Sequence, residues 1–263
     1  MKMKFTFLIF FLFSVSALWA QEVRQKYIGI ETGFTSIESE MSNMDFVRGD
    51  IPSYPSEYST NSTSNLTSLS TKNFIGVKFE IYSLSDRFGL FGGLRYSRMY
   101  SSIGKNSYWG SNTNFFYWLY REEGVNTEYL KVKEIDQKSD YIGIPVELRF
   151  FPGRRPHLFR MFFKLGAEIN YRIQTQHDIV FYDEAMNPYK KDLIAQLAQP
   201  KNFYSALYGG AGIRIGRDLK PSVSIEVCTP YLFLTSKSAG MVNPIFGGGL
   251  QLNIQIPIKS KVK

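Results

Sequence analysis

Residues 161–172 read MFFKLGAEINYR. Every second position from Met161 to Tyr171 is apolar, and the positions between them, from Lys164 to Arg172, are charged, polar or glycine. A period of two is the pattern of a β-strand with two unlike faces. Seven further segments alternate, although 88–100 and 203–215 do so less cleanly. The sequence therefore predicts eight strands, which cover residues 27–34, 74–82, 88–100, 141–150, 161–173, 203–215, 223–231 and 246–256.

The connections between these predicted strands alternate between long and short. The short connections carry turn residues, for example Pro152 with Gly153, and Asp218 with Pro221. Short turns at one end and long loops at the other are typical of a bacterial outer-membrane barrel. We therefore predict an all-β fold, an eight-stranded antiparallel up-and-down transmembrane β-barrel, formed as one domain by residues 21–263.

The first 20 residues have the features of a secretory signal peptide. Lys2 and Lys4 precede the apolar run 5–15, and Ala20 offers a small residue before the expected cleavage site. Without this leader the chain has 243 residues (263 − 20), and its net charge falls from +8 to +6 because two lysines are lost. So small an excess predicts no nucleic-acid partner.

The composition excludes several classes of protein. With 44% hydrophobic and 16% aromatic residues, the chain is not disordered, collagen-like or a coiled coil. The single cysteine, Cys228, excludes an internal disulfide and a cysteine-based zinc finger. The pattern of alternation also fits a soluble lipocalin-type barrel, in which the apolar face points inward around a ligand.

Three features favour the membrane barrel over the soluble one. Most strand charges and most strand glycines share the polar phase, and aromatic residues gather toward the strand ends as in interfacial girdles. Acids and bases are nearly balanced, as a closed lumen requires. Arg98 is the exception, but it sits near an outer strand end, where a lipid-side charge costs about 0–1 kcal/mol. Pro145 and Pro230 fall inside strands and predict β-bulges.

The inward charges have two interpretations: a salt-bridged plug that closes the barrel, or the lining of a small transient pore. The predicted lumen charge network consists of Glu31, Lys78, Glu80, Arg95, Glu147, Arg149, Lys164, Glu168, Arg172, Arg214 and Glu226.

The second long loop contains an aromatic cluster. An exposed cluster of this size often marks a contact site, here for an extracellular protein or glycan. The alternative is a hairpin that folds over the barrel mouth or rests on the membrane. The predicted contact residues are Tyr108, Trp109, Phe115, Phe116, Tyr117, Trp118 and Tyr120.

The sequence contains no catalytic set, metal-ligand cluster or cofactor motif that stands out. A lipid-modifying enzyme would need a histidine with a serine and an acid at one level of the barrel. His177 is the candidate, with Ser205, Asp178, Asp183 and Glu184 as possible neighbours. We interpret His177 and Asp178 as a polar rim pair and predict a non-enzymatic protein without cofactors or metals.

Residues 141–148, Tyr-Ile-Gly-Ile-Pro-Val-Glu-Leu, resemble the Tyr-x-x-Ile-Pro signature of the PorT-like outer-membrane β-barrel family. The leader, the glycine-rich hairpins and the last alternating strand are similar too, so the resemblance covers about residues 25–258. It implies an eight-stranded outer-membrane barrel and little about activity. One namesake belongs to a protein-secretion and gliding machinery, which adds an accessory role in secretion as an alternative.

These observations predict a monomer in the cell outer membrane, in contact with outer-membrane lipid. The favoured function is structural or binding, through long extracellular loops. The alternatives are a narrow channel, a lipid-A-modifying enzyme and an accessory component of a secretion machinery.

Overall fold

The computed structural model describes residues 23–42, 45–48, 66–83, 87–105, 115–123, 126–153, 158–217, 220–235 and 239–258. The predicted signal peptide, residues 1–20, lies outside these ranges. The strands are β1 (Val23–Met41), β2 (Val47–Arg48), β3 (Leu66–Ser83), β4 (Phe88–Lys105), β5 (Phe116–Glu123), β6 (Asn126–Phe150), β7 (Phe159–Phe181), β8 (Phe203–Ile215), β9 (Ser222–Phe233) and β10 (Val242–Ile258). A 3-10 helix (Glu184–Tyr189) and helix α1 (Lys190–Gln196) connect β7 to β8. Within the described ranges, no helix is both long and apolar enough to cross a bilayer.

Eight of the strands form a closed antiparallel ring. Their order around the ring is β6, β4, β3, β1, β10, β9, β8 and β7, and β7 pairs back with β6. All eight predicted strands are present, so the predicted fold class is confirmed. β5 pairs with the outer part of β6, and β2 pairs with β5. These two short strands extend the sheet on the extracellular side.

Several strands continue well beyond their predicted outer ends. β6 has 25 residues, whereas the alternation predicted only residues 141–150. β3 begins at Leu66, whereas the alternation predicted a start at residue 74. Serine and threonine predominate in this added part of β3, and the Ser70 hydroxyl donates to the Ser101 hydroxyl across 3.1 Å. Polar pairs leave no hydropathy alternation for a sequence pattern to detect.

The outer surface of the ring is an apolar belt. On β7, Leu165 is 65% exposed and Ile169 is 63% exposed, whereas the intervening Glu168 is 1% exposed. The same arrangement holds around the ring, where the exposed residues include Ile30, Val77, Leu94, Ile144, Ile213, Ile225, Leu252 and Ile254. A surface of this kind is stable in lipid and not in water. The protein is therefore an outer-membrane β-barrel, and the soluble alternative is wrong.

Inward-facing glycines make room for large lumen side chains. A Cβ on Gly33 would lie 2.4 Å from the Phe74 ring, and one on Gly166 would lie 2.5 Å from the Tyr208 ring. An eight-stranded barrel has space only for such interlocking side chains. The prediction that glycines share the lumen phase for this reason is correct at both positions.

Two local predictions are only partly correct. The bulge at Pro230 is present, because the register of β9 shifts against both neighbours there. Pro145 causes no register shift, since it pairs in register with Glu168 on β7. The aromatic residues predicted to form the two girdles number ten. Five are exposed, namely Phe34, Phe88, Tyr96, Phe150 and Tyr171; four are buried inside, namely Tyr82, Tyr141, Phe151 and Tyr231; and Tyr100 is half-buried.

Candidate functional site

A network of buried ion pairs fills the middle of the barrel. Arg95 on β4 donates to Glu31 on β1 through Nε at 2.8 Å and through Nη2 at 2.9 Å. This bidentate geometry is typical of a strong ion pair between arginine and a carboxylate. Lys78 on β3 lies 2.5 Å from the second Glu31 oxygen. Gln251 on β10 donates to the same oxygen at 2.6 Å. Glu31 is thereby held by three strands.

Glu147 on β6 lies within salt-bridge distance of four cations, more than any other carboxylate of the described network. Its oxygens lie 2.7 Å from Lys78 Nζ and 3.0 Å from Arg149 Nη2. Lys164 on β7 is 3.8 Å away. The Tyr208 hydroxyl on β8 donates to it at 2.9 Å. A buried carboxylate needs this density of partners, because desolvation would otherwise expel the charge.

Two further carboxylates complete the network. Glu226 on β9 accepts from Lys164 at 2.6 Å and pairs with Arg149 at 2.7 Å. Glu168 pairs with Arg95 at 2.5 Å and with Lys72. All eight strands of the ring therefore contribute a side chain to one connected set, which joins the wall across its diameter.

The structure brings eight of the eleven predicted network residues together. They are Glu31, Lys78, Arg95, Glu147, Arg149, Lys164, Glu168 and Glu226. Glu80 and Arg214 are buried nearer the periplasmic end, where Glu80 accepts from Gln255 at 2.7 Å and Arg214 donates to Ser222 at 3.0 Å. The prediction for Arg172 is wrong: its side chain is only partly buried and donates to Asn202 at 2.7 Å, where the register of β7 against β6 shifts by one residue.

An aromatic layer closes the periplasmic end of the lumen. It consists of Tyr27, Tyr82, Phe91, Phe151 and Phe162, all buried. Arginines stack on these rings: the Arg149 guanidinium carbon is 3.9 Å from the Phe91 centroid, and that of Arg214 is 4.5 Å from the Tyr27 centroid. Rings and flat guanidinium groups pack at cation–π distances, so the layer is dense.

Sequence reasoning missed two lumen cations. Lys72 is fully buried and pairs with Glu168, and Arg160 is buried with its guanidinium 4.3 Å from the Phe151 centroid. The sequence did contain a signal for both. Lys72 lies two positions before Phe74 and Arg160 lies two positions before Phe162, and both phenylalanines face inward at the start of a predicted strand. Extending the period of two by one step at each strand start would have found both.

The predicted aromatic contact site is mostly interior. Phe116 and Trp118 are fully buried, and Phe115 is 7% exposed. Trp118 stacks on Phe46 at 4.4 Å and donates through Nε1 to Gln196 of α1 at 3.3 Å. The prediction that these three residues form an exposed contact site is therefore wrong, because their side chains pack into the apolar core between β5 and the helical segment. Tyr117 and Tyr120 are half-buried, and Tyr108 and Trp109 lie outside the described residues.

We call this extracellular layer the cap: β2, β5, the outer part of β6, the 3-10 helix and α1. Its apolar core includes Val47, Phe116, Trp118, Leu130, Val132, Leu193, Leu197 and Met241. The core continues downward through Ile135 and Tyr141 to Tyr208 and Tyr231, which meet the ion network. Cap, network and aromatic layer thus occupy the barrel from one end to the other.

Replacing Trp118 by alanine is expected to loosen the cap without opening the ring. Deleting a fully buried tryptophan side chain costs about 3–5 kcal/mol, and here it removes the packing against Phe46 and the hydrogen bond to α1. Hydrogen exchange should accelerate in β5 and α1 and stay unchanged in β9. Tyr117→Ala, on the outer side of the same strand, serves as the control. Faster exchange in β9 as well would contradict a cap that opens independently.

His177 and its predicted neighbours do not converge on one another. His177 Nε2 lies 3.2 Å from Gln137 Oε1, and the Ser205 hydroxyl lies 3.4 Å from that of Thr235. The Asp178 carboxylate pairs with Lys190, and Asp183 accepts from the Ala185 amide at 3.0 Å, as a helix cap. Burial, with a smaller contribution from Arg172, lowers the pKa of His177 below its ordinary value.

Arg98, the one outward charge in a predicted strand, has a partner at the upper edge of the belt. Asp140 accepts from Arg98 Nε at 2.7 Å and from Nη2 at 3.2 Å. Burial acts to raise the pKa of Asp140, but hydrogen bonds from Arg98 and Gln174 outweigh it and hold the pKa below its ordinary value. The pair lies beyond Ile142, the last lipid-facing residue of β6, where a paired charge is tolerated.

No protein-family profile and no curated protein sequence matches this chain. Solved structures with a similar chain fold include the outer membrane protein OprG from Pseudomonas aeruginosa. It has 12% sequence identity and a TM-score of 0.41, and the alignment covers 90% of this chain and 98% of OprG. Ail from Yersinia pestis, in complex with the heparin analogue sucrose octasulfate, has 10% identity, a TM-score of 0.35, and coverage of 89% and 100%. The translocator domain of the autotransporter NalP from Neisseria meningitidis has 9% identity, a TM-score of 0.29, and coverage of 94% and 92%.

Proposed function

We propose that this protein is a non-enzymatic, non-conducting outer-membrane binding protein that works as a monomer through its extracellular cap. The observation that carries the proposal is the filled lumen. An ion network to which all eight strands contribute a side chain occupies the middle of the described barrel, and the apolar core of the cap packs above it. What faces the outside is a folded layer raised above the membrane on extended strands.

The absence of conduction is directly testable. Purified protein in a planar bilayer is expected to show no resolved openings at neutral pH, because opening a path would require breaking several buried ion pairs at once. A barrel carrying Glu147→Ala and Trp118→Ala together serves as the comparison in which both seals are weakened. Steady single-channel steps from the unmodified protein would support the narrow channel instead.

The binding role is testable by photo-crosslinking in cells. A benzophenone amino acid placed at Tyr182 or at Glu184 is expected to give adducts with a protein or a glycan, since both positions are exposed in the extracellular layer. The same probe at Ile213, in the lipid belt, should give lipid adducts only. If neither extracellular position gives a macromolecular adduct, the binding role is wrong.

We further propose that residues 1–20 are a cleaved signal peptide and that the chain is related to the PorT-like family of Gram-negative bacteria. The supporting feature is the segment 141–148, which forms the lipid-spanning part of β6 up to Tyr141. N-terminal sequencing of the membrane-extracted protein tests the cleavage, with Gln21 expected as the first residue.

A further inference from the structure

The outer side of the cap carries a compact set of tyrosines and lysines, which we call the tyrosine–lysine face: Tyr117, Tyr129, Lys131, Lys133 and Tyr182. Phe116, Trp118, Leu130 and Val132 point inward from β5 and β6, so the alternate residues of the two strands point out. Tyr117 and Lys131 are directly opposite each other in the β5–β6 ladder.

Backbone and ring contacts fix the shape of this face. The Tyr182 amide donates to the Lys131 carbonyl at 3.0 Å, which holds Tyr182 beside β6. The Phe115 ring lies 4.7 Å from that of Tyr182 and 5.4 Å from that of Tyr117. Tyr182 is 51% exposed, so the row of three rings is accessible to solvent at the Tyr182 end.

The two lysines are held over the rings rather than by acids. Lys131 Nζ lies 4.9 Å from the Phe115 centroid, and Lys133 Nζ lies 5.5 Å from the Tyr182 centroid. Among the described residues, neither ammonium group has a carboxylate within salt-bridge distance. Toward the membrane, the next carboxylate on β6, Glu134, accepts from the Ser102 hydroxyl at 2.6 Å. Two lysine ammonium groups therefore lie on an aromatic floor without an ion-pair partner among the side chains that the structure describes.

This chemistry fits an anionic sugar. Aromatic rings pack against the C–H faces of sugars, and ammonium groups bind phosphate as point charges. Arg48 on β2 lies opposite Tyr117 and adds a third cation at the border of the face.

The position of the face selects the source of that sugar. The face looks sideways, on the side of the wall that contacts lipid lower down, and not upward away from the cell. Tyr182 lies nine positions beyond Ile173, which is exposed at the top of the belt on β7. At about 3.3 Å per residue and the usual strand tilt, the face stands roughly 20–30 Å above the belt. Molecules that stand beside the barrel at this height are the sugar chains of glycolipids in the same leaflet.

We infer that the tyrosine–lysine face binds the phosphorylated saccharide of lipopolysaccharide in the surrounding outer leaflet. This inference rests on the proposed binding role of the cap and names its partner.

The test uses the full-length protein in detergent with purified lipopolysaccharide, either native or chemically dephosphorylated. The Lys131→Gln/Lys133→Gln double variant is expected to bind native lipopolysaccharide about tenfold more weakly, and dephosphorylation should weaken binding of the unmodified protein by a similar factor. The control is Lys191→Gln/Lys201→Gln, which removes the same charge from exposed positions outside the face and should stay within twofold. Heat-modifiable migration shows that each variant is folded.

Three results would overturn the inference. One is unchanged lipopolysaccharide affinity in the folded Lys131→Gln/Lys133→Gln variant. Another is a tenfold preference of the unmodified protein for heparin over lipopolysaccharide that the double variant loses, which would indicate a polysaccharide of another surface. A crosslink to a macromolecule from Glu184 alone would leave the binding role intact and still remove lipopolysaccharide from this face.

Discussion

Replacing Glu147 by leucine is expected to destabilise the barrel by about 3–5 kcal/mol, the usual cost of removing one partner from a buried ion pair. The carboxylate lies within 3.0 Å of Lys78 and Arg149 and accepts from Tyr208. Its loss leaves cations in a dry interior with too few acids to compensate them. Urea titration of the protein in short-chain lipid vesicles, followed by tryptophan fluorescence, measures the free energy of unfolding.

The control is the same substitution at an exposed glutamate, which distinguishes the effect of removing a buried carboxylate from the effect of losing one negative charge. Glu184→Leu, in the 3-10 helix, is expected to change the free energy of unfolding by less than about 0.5 kcal/mol. The double variant Glu147→Leu/Lys78→Met should recover part of the loss, because it removes one of the stranded cations together with the acid. If Glu147→Leu is as stable as Glu184→Leu, the network does not hold the lumen closed.

Replacing Leu165 by arginine is expected to cost about 2–4 kcal/mol in lipid, because its side chain lies near the middle of the apolar belt on β7. Ile173→Arg is the matched control on the same strand. Ile173 is similarly exposed, at 52%, but lies at the outer edge of the belt, where the expected cost is about 0–1 kcal/mol.

The contrast between these two positions depends on the membrane. In micelles of a mild detergent the difference in unfolding free energy between the Leu165→Arg and Ile173→Arg variants should shrink, because the arginine at position 165 reaches water more easily there. Equal costs at positions 165 and 173 in vesicles would mean that the belt is not centred where the structure places it.

The part of the fold that lies in the membrane was predictable because one physical contrast repeats there. Leu165 meets lipid and Lys164 meets the lumen, so each pair of neighbours records the two environments in its polarity. The same contrast identified Glu31, Glu147 and Glu226 as lumen residues. Their partners were not predictable, since the register between strands decides which acid meets which base.

The extracellular layer was not predictable in the same way. Above the belt both faces meet water or the cap, and register shifts break the period of two at Lys133 in β6 and at Ile173 in β7. The run Phe115–Tyr120 reads as exposed in sequence. Its inward residues are buried only because β5 folds back over Leu193 and Leu197 of a helical segment far along the chain. Arg172 shows the converse error: it has the right phase, but it lies directly before the register shift of β7 and its side chain bonds to Asn202 instead of joining the network.

The direct test of the central claim is a lipid-contact map of the unmodified protein. Selective methyl labelling of Ile, Leu and Val in a lipid nanodisc, with the rest deuterated, reports which methyl groups lie against acyl chains. Cross-relaxation with lipid acyl protons is expected for Leu165, Ile169 and Ile225 and not for Val132, Ile135 or Leu193. Lipid contacts from the second group, with water contacts from the first, would contradict a barrel whose apolar side faces the membrane and whose ions face one another.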